Sequence, residues 1–100
     1  MGSSSLLSTW ASIGALVEET VRGTLEAAQI DAVDVGTIHV GNAFGQVYTG
    51  QGHLGAMPAT MHPELWGVPA SRHEGACASG SLAILAAMSD LESGRYDCAL

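Results

Sequence analysis

Over residues 6–28 the apolar positions Leu6, Trp10, Ile13, Val17, Val21, Leu25 and Ala28 follow one another at steps of three and four. That spacing draws one stripe down a helix and leaves Glu18, Glu19, Arg22 and Glu26 off it, which predicts an amphipathic helix laid on a sheet. Gly14 and Gly23 each weaken the helix by about 1 kcal/mol relative to alanine. Asp31 and Asp34 bracket a polar turn, and the pattern then changes. Val35-Gly36-Thr37-Ile38-His39-Val40 carries the β-branched residues of a buried strand, with His39 reading as a hydrogen-bonded core histidine.

Residues 41–55 hold five glycines and no sustained period, so they are predicted to be a long irregular segment with at most one helical turn. Residues 56–69 contain all three prolines, and a short helix is predicted over residues 63–66 with Pro63 in its first turn. Residues 70–76 run extended, residues 78–93 are helical up to the stop at Gly94, and residues 96–100 open another strand. The later helix has an unbroken apolar run over residues 82–88, a pattern that predicts burial on all sides. Alternating helices and strands make the fold class α/β. The chain offers too few other elements to cover such a helix, so these residues are read as a piece of a larger protein or one that needs partner chains.

Charge narrows the partners. Three arginines and no lysine against ten acidic residues give a net charge of −7, which excludes a nucleic-acid backbone or an anionic membrane surface as the main partner. The apolar run over residues 82–88 is far short of the roughly 20 residues a spanning helix takes. Two cysteines, Cys77 and Cys98, make no disulfide framework, so a cytoplasmic, reducing setting is expected. Met1-Gly2-Ser3-Ser4-Ser5 reads as a leader or trimmed end, leaving residues 6–100 as the domain. His53, His62 and His73 are too widely spaced for a paired-ligand zinc pattern, and no metal is expected. Gly50-Gln51-Gly52-His53-Leu54-Gly55 matches the glycine fingerprint of dinucleotide sites but lacks the strand and long helix that motif requires.

The candidate chemistry sits at Cys77, where the extended stretch turns into the apolar helix. A cysteine at a helix N-terminus faces unpaired backbone N–H groups and the positive end of the helix dipole, which favour thiolate over thiol. The same N–H groups can hold the oxyanion formed when a thioester carbonyl is attacked. Ala78, Ser79, Gly80 and Ser81 are small enough to let an extended acyl chain or pantetheine arm approach. Glu74 would oppose the thiolate if close, while Arg72 or His73 would support it. Position alone leaves two readings open, a nucleophile or an inert buried cysteine. Cys98, in an apparent strand away from any helix end, reads as inert.

The run Glu74-Gly75-Ala76-Cys77-Ala78-Ser79-Gly80-Ser81-Leu82-Ala83, followed by Gly94-Arg95-Tyr96-Asp97, resembles the nucleophile segment of the thiolase superfamily, above all sterol-carrier-type thiolases and acetyl-CoA acetyltransferases. Val40-Gly41-Asn42 and Gly52-His53-Leu54-Gly55 are similar to the segment that precedes the nucleophile there. The resemblance implies part of the N-terminal half of a layered αβαβα fold, assembled as a homo-oligomer or with a completing chain. It implies that Cys77 accepts the acyl group of an acyl-CoA for Claisen-type carbon–carbon bond formation or cleavage. No metal or bound cofactor is implied, coenzyme A being part of the substrate. The family's Asn-Glu-Ala-Phe, Gly-His-Pro and Cys-Gly-Gly segments, which supply the other catalytic groups, do not occur in these residues, so Cys77 alone is carried over. Two alternatives stand beside this reading: a non-catalytic thiolase-like subunit acting in assembly, and a condensing enzyme of the ketosynthase type.

Overall fold

The computed structural model describes residues 13–43 and 52–100. Among the described residues the first helix, α1 (Ile13–Ala28), carries the predicted stripe from Val17 onward, and residues 6–12 of the prediction lie outside them. Val21 is buried, with Val17 and Leu25 packed beside it. The opposite side is exposed and holds the Arg22 to Glu18 ion pair at 3.2 Å. Gln29 ends the helix in a left-handed conformation (φ 58°), letting Ile30 N–H reach back to Leu25 O at 3.1 Å and satisfy an orphan carbonyl.

Strand β1 (Ile38–Gly41) begins three residues later than the sequence pattern suggested. The difference has a cause in packing: Val35 drops into the core, and Gly36 N–H bonds to Cys98 O at 2.9 Å. β1 pairs in parallel with β2 (Ala70–His73), in the register Ile38↔Ala70 through Gly41↔His73. Its other edge is also occupied. Thr37 bridges Ala99 in parallel, His39 N–H donates to Leu100 O at 2.8 Å, and Leu100 N–H donates to Thr37 O at 2.9 Å. β1 is therefore an inner strand, and the predicted strand opening at residues 96–100 lies alongside it over its last residues.

Between β1 and β2 the described residues make two 3-10 turns, Leu54–Ala56 and Pro63–Leu65, on either side of a short helix, α2 (Met57–Met61). The second turn coincides with the helix predicted at residues 63–66. Helix α2 is not among the elements that the sequence pattern predicts. In the first turn of a helix the missing N–H and fixed φ of a proline do no harm, and Pro58 is buried there. Leu65 is fully buried and joins Val21, Val35 and Ile38 in the core.

Alternation along the strands divides the sheet into two faces. Ile38, Val40 and Ala70 turn toward α1 and the core. His39, Gly41 and His73 turn toward α3 (Ser79–Glu92). With a helix on each side of parallel strands, the architecture is the α/β class expected.

Within the described residues helix α3 is covered on one side: it meets the sheet through a stripe of small and polar residues, with Ser79 and Ala83 buried. Its large apolar side chains face outward, with Ile84 63%, Leu85 57%, Met88 48% and Leu91 44% exposed. A run apolar on every face cannot reveal which face the chain's own sheet will cover. Here the choice falls to size, because the small residues permit close approach to the strands.

Candidate functional site

Cys77 lies in a 3-10 turn, Ala76–Ala78, between the end of β2 and the start of α3, where the sequence placed it. It is exposed and carries a free thiol. The preceding residue, Ala76, has φ 51°, a left-handed conformation that costs an alanine about 1–2 kcal/mol.

Hydrogen bonds hold the turn in that shape, among them that of the Ser79 backbone N–H to Ala76 O. Ser79, although polar, is 5% exposed. Its hydroxyl donates to Ala76 O at 2.7 Å and accepts from Gly75 N–H at 3.0 Å, bridging both sides of the strained residue. Ala78 N–H donates to Gly75 O at 2.9 Å. The Glu74 carboxylate accepts from Ala76 N–H at 2.7 Å, so its charge is engaged by the backbone of the turn. Among these bonds the Cys77 N–H takes no part, which leaves it available to an incoming acceptor.

Two close approaches fix the turn from outside. A Cβ on Gly41 would stand 2.5 Å from Ser79 O and 2.8 Å from Gly80 Cα, so the last residue of β1 abuts the first turn of α3. A Cβ on Gly75 would stand 2.5 Å from Leu82 Cδ1, so Leu82 lies over the entrance to the turn.

The histidines behave differently from one another. His53 is exposed, and His62 sits beside Glu18, its Nε2 3.5 Å from the backbone O and 3.9 Å from Oε1. His39 is the hydrogen-bonded histidine the strand pattern suggested, and it bonds on both sides. Its Nδ1 lies 2.8 Å from His73 Nε2, and its Nε2 lies 2.6 Å from Asp90 Oδ2. The two rings are tilted, with centroids 5.0 Å apart.

Asp90 is held below the usual carboxylate range chiefly by the hydrogen bond from His39; partial burial pushes the other way, and the Thr37 hydroxyl, the His39 charge and Arg95 add to the lowering. An ionised carboxylate only accepts, so His39 Nε2 carries the proton it shares with Asp90. Sequence reasoning missed this trio, because its members stand on β1, β2 and α3 and no local spacing links them. His73, considered a support for Cys77, instead turns its ring to His39.

Cys98 packs against the core cluster, away from the turn. The glycine run that matches a nucleotide fingerprint lies partly outside the described residues; its end, Leu54 and Gly55, is buried in a 3-10 turn that leads into the five residues of α2. Among the described residues no group of three or more His, Cys, Asp or Glu is arranged to hold a metal, and no helix is long and apolar enough to cross a membrane. A groove of about 460 Å³ runs between α1 and β1, lined by Val17, Thr20, Val40, Asn42 and Leu100 among others. Cys77 does not line it.

Comparison with known proteins places these features in a wider set. The family described as the thiolase N-terminal domain matches residues 1–100. An acetyl-CoA acetyltransferase of Methanocaldococcus jannaschii is 38% identical over 89 residues, which cover 89% of this chain and 22% of that protein. An acetyl-CoA acetyltransferase of Methanothermobacter thermautotrophicus is 32% identical over 82 residues, 82% of this chain and 21% of that protein. The chain thus spans about a fifth of the length of these curated relatives.

Proposed function

The chain belongs to the thiolase N-terminal domain family, and from that premise we propose that it is the nucleophile-bearing part of an acyl-CoA acyltransferase, with Cys77 as the acyl acceptor. The observation that carries this reading is the turn itself: an exposed thiol on a strained 3-10 turn at the head of α3, with the Cys77 N–H taking no part in the hydrogen bonds of the turn among the described residues.

In the proposed step the Cys77 thiolate Sγ attacks the carbonyl carbon of an acyl-CoA thioester. The carbonyl oxygen gains the negative charge, and the Cys77 N–H donates to it. Collapse breaks the bond to the coenzyme A sulfur, which leaves as a thiolate and takes a proton, and the acyl group stays on Cys77. Ser79 contributes indirectly by holding the carbonyl and amide groups on both sides of Ala76. Carbon–carbon bond formation or cleavage would then need acid–base groups from further chain.

The names of the relatives support an acyl-CoA substrate, with acetyl-CoA the first to try. The outward apolar row of α3 supports a second element of the proposal, that additional chain, either more of this protein or a partner copy, covers that helix.

The test is direct. The complete native protein, incubated with acetyl-CoA and digested, should carry an acetyl mass increment on the Cys77 peptide, and Cys77→Ser should abolish it. No increment, or one confined to Cys98, would overturn the assignment.

A further inference from the structure

We propose that His39, His73 and Asp90 form one proton-holding clamp that positions the turn carrying Cys77. The purpose assigned to the clamp rests on the reading of Cys77 as the acyl acceptor; its hydrogen-bond chemistry does not.

The topology makes the case first. His73 is the last residue of β2, immediately before the segment that leads to Cys77, and Asp90 stands on α3, which begins immediately after the turn. Both are tied to the same side chain, His39 on the inner strand β1. The two supports of the turn, the strand entering it and the helix leaving it, therefore meet at one ring. That ring is nearly buried, its side chain 9% exposed. The backbone repeats the link, since Asn42 N–H donates to His73 O at 3.1 Å just beyond β1.

Proton counting makes the second case. Asp90 accepts from His39 Nε2–H, so only Nδ1 of His39 faces His73 Nε2, and at 2.8 Å one proton lies between those nitrogens. If His73 supplies it, both rings can be neutral. If the pair takes one further proton, either ring can carry the charge and the bond survives. A second further proton would set Nδ1–H of His39 against Nε2–H of His73, and the link must break.

Among the described residues, the Thr37 hydroxyl stands 3.5 Å from His39 Nε2, and the Arg95 charge beyond α3 acts on Asp90. Arg72 alternates to the opposite side of β2, and α1 lies on the other face of the sheet. With Asp90 ionised, one charge on the rings neutralises the trio. The shared proton thus closes the clamp, and a second further proton opens it.

Two measurements on the complete native protein test this. Histidine-selective ¹⁵N spectra across the pH range should show the nitrogens of His39 and His73 shifting together with the first proton, and a second proton entering at a distinctly lower pH. Two rings titrating independently with one midpoint would overturn the clamp.

The second measurement is the rate of Cys77 alkylation by iodoacetamide, divided by its thiolate fraction from ultraviolet absorbance. His73→Leu removes the link and should slow this normalised rate roughly ten-fold, because misplacing a reacting group costs that order. His73→Gln keeps an N–H donor that cannot become charged, so it should hold the native rate within about two-fold and lose the decline that a second further proton on the two rings causes in the native protein as the pH falls.

A His73→Leu protein that alkylates as fast as the native one would overturn the positioning role, as would a His73→Gln protein with the native pH profile. If His73→Leu does not fold, the His73→Gln profile and the spectra still decide. An absent acyl adduct in the native protein would sink the nucleophile reading and leave these comparisons intact.

Discussion

The Cβ that Gly41 lacks would stand 2.5 Å from the carbonyl oxygen of Ser79, so the end of β1 and the first turn of α3 meet backbone to backbone. Neither partner is a flexible side chain that could swing away. Gly41→Ala must therefore push the strand and helix apart. We expect a loss of about 1–3 kcal/mol in stability, the usual range for overpacking, read from a denaturant midpoint, together with slower acylation of Cys77. An unchanged midpoint would contradict the close approach.

Ser79→Ala removes both hydrogen bonds of a buried hydroxyl, leaving Gly75 N–H without its partner and Ala76 O with only the Ser79 backbone N–H. A buried polar group left unsatisfied costs about 1–3 kcal/mol. The left-handed Ala76 is then less well supported, so Cys77 alkylation should slow more than the stability loss alone would suggest. Stopped-flow alkylation under conditions where both proteins remain folded separates the two effects.

Asp90 gives a pH dependence whose sign is fixed. Its carboxyl is lowered below the ordinary 3.8 in the folded protein, chiefly by the His39 hydrogen bond. The stabilisation is complete above the unfolded value and disappears as pH falls through the lower folded one. Asp90→Asn should therefore be less stable than the native protein near neutral pH, and the gap should narrow on acidification through the carboxylate range. Urea midpoints at a series of pH values measure it; a gap that widens in acid would refute the linkage.

The outward row of α3 predicts behaviour in solution. Residues 1–100 produced alone expose Ile84, Leu85 and Met88 on one element, and such surface drives association. The triple change Ile84→Ser, Leu85→Ser and Met88→Ser should raise the soluble yield of that fragment, since none of the three contributes to the core cluster. In the complete protein the same change should weaken whatever covers the helix, seen as a lower melting temperature or a loss of assembly in gel filtration.

Much of the layout was legible because it depends on local pattern. The step of three and four from Val17 to Leu25 marked α1, the β-branched run marked β1, and the apolar run over residues 82–88 with its stop at Gly94 marked α3. What stayed hidden depends on partners far apart in sequence. The orientation of α3 follows from Ser79 and Ala83 fitting against strands, which a uniformly apolar run does not disclose. The contact of His39 with His73 and Asp90 exists only because a parallel register sets β1 beside β2 with α3 across both. Glu74 could be named as a neighbour of the thiol, but its engagement with Ala76 N–H required the fold of the turn.

The inner place of β1 also has a consequence for how the protein is made. One edge of the strand waits for residues 70–73 and the other for residues 98–100, so when β1 leaves the ribosome neither neighbour has yet emerged. Contacts between positions far apart in sequence form late and slowly, and Val21 and Ile38 remain uncovered meanwhile. The nascent chain must therefore pass through an interval in which its future core is available to chaperones or to other chains. That interval closes only when Ala99 arrives opposite Thr37.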